Sequence, residues 1–135
     1  MLILDSNIIS YYLRGDPQIV PRVQALAPAK VGMPAIVEYE LRYGLLRLPQ
    51  DAAKPRLAAL MQLLQPMQRL PFDSDCAAQA ARIRAELEAA GTPIGSHDTL
   101  IAATALRYQA TLVTRNVREF SRVQGLQWLN WHEAI

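Results

Sequence analysis

The chain has 135 residues, of which 51% are hydrophobic, 19% charged and 7% aromatic, a length near the roughly 150 residues of one domain. The apolar fraction excludes intrinsic disorder, and a globule of this size buries about two thirds of the surface its unfolded chain exposes, so it folds without a disulfide or structural metal. Fourteen basic against twelve acidic residues give a net charge of only +2.

Cys76 is the single cysteine, which excludes an internal bridge or a zinc cluster. The start Met1-Leu2-Ile3-Leu4-Asp5 has no basic region, and no apolar stretch approaches the roughly 18 residues of a spanning helix. A soluble, cytoplasmic chain is therefore expected. All basic residues except Lys30 and Lys54 are arginine. The guanidinium fork pairs with phosphate and stacks on bases, so the skew hints at nucleic acid or another acidic partner; a GC-rich genome would produce it too.

In chain order, Leu2-Ile3-Leu4 is a short continuous apolar run ended by Asp5-Ser6-Asn7, the pattern of a fully buried parallel strand, and a short helix follows from Ile8 to Leu13. Asp16-Pro17 predicts a helix start, with Asp as cap, running to about Pro28. Lys30 to Ala35 reads as a second strand, weakened by Gly32 and Pro34. Apolar residues at Val37, Leu41, Leu45 and Leu48 predict a helix over Ile36 to Leu48, and Pro49 and Asp51 open another to about Met67, with Pro55 in its first turn or two.

Gln68 to Phe72 is a third short strand, and Asp73 caps an Ala-rich helix that ends at Gly91. The helix from about His97 to Gln109 is apolar nearly all round and must be buried on more than one side. Thr111 to Thr114 is a strand, Asn116 to Ser121 a helical turn, and Leu126 to Leu129 a final edge strand. Strands alternating with helices imply an α/β fold with a central parallel sheet covered on both faces, whose ligands bind beyond the carboxyl ends of the strands where the strand order reverses.

The chemistry is expected at that edge. Asp5 closes the most apolar strand, either as a site residue or as the cap of the next helix. Glu38 has Arg42 four residues on and reads as a solvated surface pair. Glu40 lies at the edge of its helix's buried face, beside Gly44, where a missing side chain permits close approach. Asp98 opens the buried helix, a place that the helix dipole alone also favours. Thr114 and Asn116 follow the other well-formed strand. If that strand neighbours the first, Asp5, Asp98, Thr114 and Asn116 converge, and carboxylates gathered so repel one another unless a cation neutralises them. All-oxygen ligands fit magnesium or manganese rather than zinc. His97 and His132 read as surface or rim residues, Asp73 and Asp75 as helix-start residues, and Phe120, Trp128 and Trp131 as packing.

Four segments in this order, Leu4-Asp5-Ser6-Asn7-Ile8, Glu40-Leu41-Arg42-Tyr43-Gly44, Pro93-Ile94-Gly95-Ser96-His97-Asp98 and Leu112-Val113-Thr114-Arg115-Asn116-Val117-Arg118-Glu119-Phe120, resemble the PIN-domain ribonucleases and, more narrowly, the VapC toxins of bacterial toxin-antitoxin pairs. The resemblance spans nearly the whole chain and implies a single PIN domain over residues 1–135 with a three-layer α/β/α fold. It implies a magnesium-dependent endoribonuclease, manganese being a possible substitute, in which Asp5, Glu40 and Asp98 match the acidic triad and Asp5 and Asp98 are direct ligands. Asn116 matches a position that is Asp in many PIN nucleases, and Ser6 stands where Thr is more usual. Thr114 and Asn116 would orient a water or the phosphate, and Arg115, Arg118 and Arg14 would hold the RNA backbone.

The Pro-Ile-Gly segment before Asp98 looks like the toxin subgroup that cuts initiator transfer RNA in its anticodon loop. A VapB-type antitoxin covering the site and a homodimer are further implications. His97 and Glu119 adjoin matched positions, and the sequence leaves their contribution open. The competing reading is a catalytically weak PIN domain that acts by binding RNA or a partner. A receiver domain would need a Lys after its last strand, an aspartate-nucleophile phosphatase a second Asp where Asn7 stands, and a dinucleotide-binding domain a Gly-rich first turn; none is present.

Overall fold

The computed structural model describes residues 1–132; residues 133–135 of the expected domain lie outside the described part. The elements are β1 (Leu2–Leu4), α1 (Ser6–Leu13), α2 (Val20–Gln24), a 3-10 turn (Pro28–Lys30), β2 (Val31–Pro34), α3 (Ala35–Leu46), α4 (Gln50–Leu64), β3 (Gln68–Leu70), α5 (Ser74–Ala89), α6 (Ser96–Arg107), β4 (Thr111–Val113), α7 (Val117–Phe120) and β5 (Trp128–Leu129). The strands form one sheet in the order β3-β2-β1-β4-β5, and every pairing is parallel.

β1 lies at the centre because its residues tolerate no water: Ile3 and Leu4 are fully buried, between Gly32 of β2 and Leu112 and Val113 of β4. Right-handed crossovers then place α1 to α4 on one face and α5 and α6 on the other. In agreement, α1 packs on α2 and α3, α3 packs on α4, and α5 packs along α6. The connections leave β1 and β4 in opposite directions, which opens a crevice beyond the carboxyl ends of these two strands.

The expected buried helix is α6, in which Ile101, Ala102, Ala103 and Ala105 are all removed from solvent. Its buried threonines keep their hydroxyls satisfied by the preceding turn, Thr99 donating to the Gly95 carbonyl at 3.0 Å and Thr104 to the Leu100 carbonyl at 2.8 Å. Gly32 and Pro34 do not disrupt β2. Pro34 is the last strand residue and sits at the N-cap of α3, while a Cβ on Gly32 would come within 2.6 Å of Leu70 Cδ1 and 2.8 Å of Met1 Sδ. The glycine is what lets those two side chains close over the strand.

Three expectations need correction. The helix from Asp16 to Pro28 is reduced to Val20–Gln24, because Pro21 has no N–H to give to residue 17 and is tolerated only in a first turn. Asp16 instead caps a tight turn, accepting from Gln18 and Ile19 N–H at 2.8 and 3.2 Å. Glu38 is not solvated: its side chain is 17% exposed and is held by both Arg42 and Arg69 at 2.8 Å. His132 is not on the surface either, since its side chain is 5% exposed, with Nε2 3.2 Å from Asp16 Oδ2 and its ring edge-on to Tyr11 at 4.7 Å. Phe120 and Trp131 are buried packing residues as expected.

Asp73 caps α5 through Cys76 N–H at 2.9 Å and pairs with Arg107 of α6 at 3.0 Å. The Cys76 N–H and the Arg107 guanidinium hold its carboxyl down at about 2. A carboxyl lowered on folding stabilises the fold above its unfolded value near 3.9, a contribution lost as pH falls through the folded value. The urea midpoint of an Asp73→Ala chain is therefore expected to fall less than that of the unaltered chain between about pH 4 and about pH 2.

Candidate active site

The crevice beyond β1 and β4 is acidic. Asp5 follows β1 directly and is 4% exposed. It both caps α1 and faces the crevice, because a carboxylate has two oxygens: Oδ1 accepts from Ile8 N–H at 3.0 Å, and Oδ2 accepts from the Thr114 hydroxyl at 2.6 Å. Thr114 Oγ1 in turn accepts from Asn116 N–H at 3.0 Å. Burial pushes the Asp5 carboxyl up, against the Thr114 and Ile8 donors that favour its charged form.

Asp98 stands in the first turn of α6, and the Asn116 side-chain amide donates both to Asp98 Oδ2 at 3.1 Å and to Glu119 Oε2 at 2.8 Å. The Asp98 carboxyl is pushed up to about 7, chiefly by burial, with Glu119 next and the charges of Glu40 and Asp5 adding to it. Glu119 is held below its ordinary value by hydrogen bonds with Asp98 and Asn116, so of the two it is Asp98 that retains a proton. Glu40 arrives from α3. Its Oε2 lies 3.2 Å from His97 Nδ1, and its Oε1 is buried without a hydrogen-bond partner.

A polar oxygen cut off from water and left without a partner is costly. Here it belongs to a glutamate near the carboxyls of Asp5 and Asp98, and no cationic side chain pairs with Asp5, Asp98 or Glu119 among the described residues. The donor set is oxygen only, the amino ends of α1 and α6 already supply what partial positive charge the backbone can offer, and a small hard cation fits the remainder. Among the described residues no group of three or more His, Cys, Asp or Glu is arranged to hold a metal ion by itself, so an ion here would take one or two of the carboxylates and complete its shell with water or substrate phosphate.

The remaining predicted residues divide. Thr114 and Asn116 join the cluster directly. Ser6 opens α1 and lines a groove of about 910 Å³ together with Asn7, Arg14, Glu40, Arg47 and Arg56, so it borders the carboxylates without bonding to them. Arg14 and Arg115 converge on Tyr11, with their guanidinium carbons 5.3 and 5.7 Å from its ring centre, and Arg115 donates to the Tyr11 hydroxyl at 3.1 Å. Arg118 is exposed on α7 and pairs with none of the carboxylates.

The sequence leaves open the contributions of Glu119 and His97, which the structure ties to Asp98 and Asn116 and to Glu40. The spacing of Asn116 and Glu119 is the signal for the first, since a cap residue followed three positions later by Glu is a capping-box pattern. Here the two side chains bond each other and Asp98, and Glu119 also meets the Gly95 backbone rather than the start of its own helix. No local signal ties His97 to a glutamate 57 residues away.

A model of the PIN domain matches residues 2–126, and the fold agrees with it. The chain belongs to the PIN-domain family. Its relatives within that family are VapC-type proteins. One is the tRNA(fMet)-specific endonuclease VapC of Salmonella typhimurium strain LT2, 30% identical over 128 residues that cover 95% of this chain and 96% of the relative. Among solved structures, FitAcB from Neisseria gonorrhoeae superposes with a TM-score of 0.88 at 32% identity, covering 98% of this chain and all of the other. DNA-bound VapBC from Salmonella typhimurium superposes with a TM-score of 0.87 at 30% identity, covering 96% and 97% of the two chains.

Proposed function

We propose that this chain is a divalent-metal-dependent endoribonuclease, the toxin of a type II toxin-antitoxin pair, and that Asp5, Glu40 and Asp98 hold the ion, magnesium or manganese. The observation that carries the reading is the buried, unpartnered Glu40 Oε1 in a crevice shared with the carboxyls of Asp5, Asp98 and Glu119. The ion supplies Lewis acidity toward a phosphodiester and toward the attacking water.

The chain's own residues do the rest. Thr114, donating to Asp5, fixes that carboxyl in place and favours its charged form against the effect of burial. Asn116 holds Asp98 and Glu119 in register through one amide and orients the reacting groups. Glu119, hydrogen-bonded to Asn116 and to Asp98, braces the Asp98 carboxyl in the crevice. Ser6, at the groove edge, and the guanidiniums of Arg14, Arg115 and Arg118 contact the RNA phosphates, a salt-sensitive contribution.

Initiator transfer RNA, cut in its anticodon loop, is the substrate this reading favours, supported by the tRNA(fMet) specificity in the name of the Salmonella relative and by the Pro93-Ile94-Gly95 segment. A VapB-type antitoxin is the partner, supported by the likeness to the VapBC complex, and the active form is a homodimer of a single domain spanning the chain. The test is cleavage of purified transfer RNA with and without magnesium. Cleavage is expected only with the ion, and chelation is expected to stop it while the far-UV circular dichroism stays unchanged. Cleavage that persists in excess chelator overturns the metal assignment, and a folded chain that binds transfer RNA yet never cuts it leaves only the binding-module reading.

A further inference from the structure

On α3, the exposed neighbours of Glu40 are aromatic. Tyr39 and Tyr43 are 52% and 55% exposed, and because residues four apart on a helix lie one above the other, their rings stand 6.4 Å apart with planes within 21° of parallel. Exposed aromatic rings are ordinary when scattered singly. These two are tied to the acidic crevice at both ends. The His97 ring, which meets Glu40 at 3.2 Å, packs edge-on against Tyr39 at 5.7 Å. Arg47 lies 5.7 Å over the Tyr43 ring and also lines the groove that contains Glu40.

The charge beside the rings is basic. Arg14, Arg47 and Arg56 border that groove against the single carboxylate of Glu40. Flat rings interleaved with guanidiniums are the elements from which single-stranded nucleic-acid surfaces are made, since every base offers a π-face and every linkage a phosphate. A protein partner covering the site would meet the rings and Leu46, exposed on the same helix; the arginines beside a carboxylate add what a phosphate backbone uses along its length.

We propose that Tyr39 and Tyr43 are a stacking platform for unpaired bases of the RNA strand that enters the site, with Arg47 on the strand's phosphate between the platform and Glu40. The proposal deepens the nuclease reading and rests on it. It assigns to α3 a binding role separate from the ion-holding role of Glu40: the platform grips the flanking nucleotides and presents the scissile linkage to the carboxylates. Sequence tolerance at those nucleotides follows, because stacking does not read base edges.

The test uses the full chain carrying Asp5→Asn, so that the strand is not cut, titrated with fluorescein-labelled dodecauridylate. Tyr39→Ala and Tyr43→Ala are each expected to weaken binding by roughly tenfold or more, Tyr43→Trp to retain it, and Tyr43→Leu, apolar without a flat face, to fall with Ala. Arg47→Gln is expected to reduce the salt slope of binding by about one. In the otherwise unaltered chain, Tyr43→Ala is expected to raise KM for transfer RNA and to leave kcat in place. Unchanged oligonucleotide binding, or Leu serving as well as Trp, overturns the platform. So does a change in association state on Tyr43→Ala in sedimentation equilibrium, which assigns this face to a second copy of the chain. If the unaltered protein never cleaves transfer RNA with magnesium, the nuclease reading falls, and the oligonucleotide titration still judges the platform by itself.

Discussion

Asp5→Asn is expected to lower RNA cleavage by about a thousandfold while the chain stays folded. The size follows from the proposed role: Asp5→Asn would remove one charged ligand from a site where the ion would contribute several kcal/mol of transition-state stabilisation, at about 1.4 kcal/mol per tenfold in rate. The intact fold follows from the hydrogen bonds. The Asn carbonyl can still accept from Ile8 N–H at the start of α1, and Asn is as good a helix cap as Asp. Its amide can donate to Thr114 Oγ1, reversing the bond that the hydroxyl now gives to Asp5. Single-turnover cleavage and the urea midpoint, measured on the same preparation, check both halves. A folded Asp5→Asn chain that cleaves at the unaltered rate removes Asp5 from the site.

Thr114→Val is expected to damage stability and activity together. The side chain is fully buried, and valine matches its shape but not its hydroxyl. The substitution leaves Asp5 Oδ2 without its donor and Asn116 N–H without its acceptor, at about 1–3 kcal/mol for each polar group stranded in the interior. The Asp5 carboxyl, already raised by burial, loses the side-chain hydrogen bond that most favours its charged form. A loss of roughly 10- to 100-fold in cleavage is expected, as for other groups that orient a metal ligand. Thr114→Ser, which keeps the hydroxyl, is expected to recover most of both losses. Thermal melts and the magnesium dependence of cleavage distinguish this from a simple packing defect, in which Ser would be the worse replacement.

The parts of the fold legible in the sequence were those whose apolar pattern has one solution. The run Leu2-Ile3-Leu4 is too short and too apolar for anything but a buried central strand, and α6, with hardly a polar position between Leu100 and Leu106, can only lie between other elements. The convergence of Asp5, Asp98, Thr114 and Asn116 is legible because a polar residue directly after a buried strand, or opening a buried helix, stands out against its neighbours; Glu40, in the middle of α3, is picked out as a site residue only by the family resemblance. What stayed hidden depends on contacts distant in the chain. His132 was read as a rim residue because nothing near it in sequence reveals that the end of the chain returns to Asp16, 116 residues away. Glu38 was read as solvated because Arg42 is visible at helical spacing, whereas Arg69 comes from the neighbouring strand. The helix expected after Asp16 is shorter for a local reason, the missing N–H of Pro21.

The link between Asp5 and Thr114 joins residues 109 positions apart, and that has a bearing on synthesis. During translation β1, α1 and α3 emerge early, carrying Asp5 and Glu40, but the central strand keeps one side unpaired until β4 is made. Until then Asp5 has no hydroxyl beside it, and Asp98 has neither Asn116 nor Glu119. A nascent or prematurely released fragment ending before β4 would hold Asp5, Glu40 and Asp98 but lack Thr114, Asn116 and Glu119, which bond Asp5 and Asp98. A cell making this protein meets an assembled site only once nearly the whole chain has been translated.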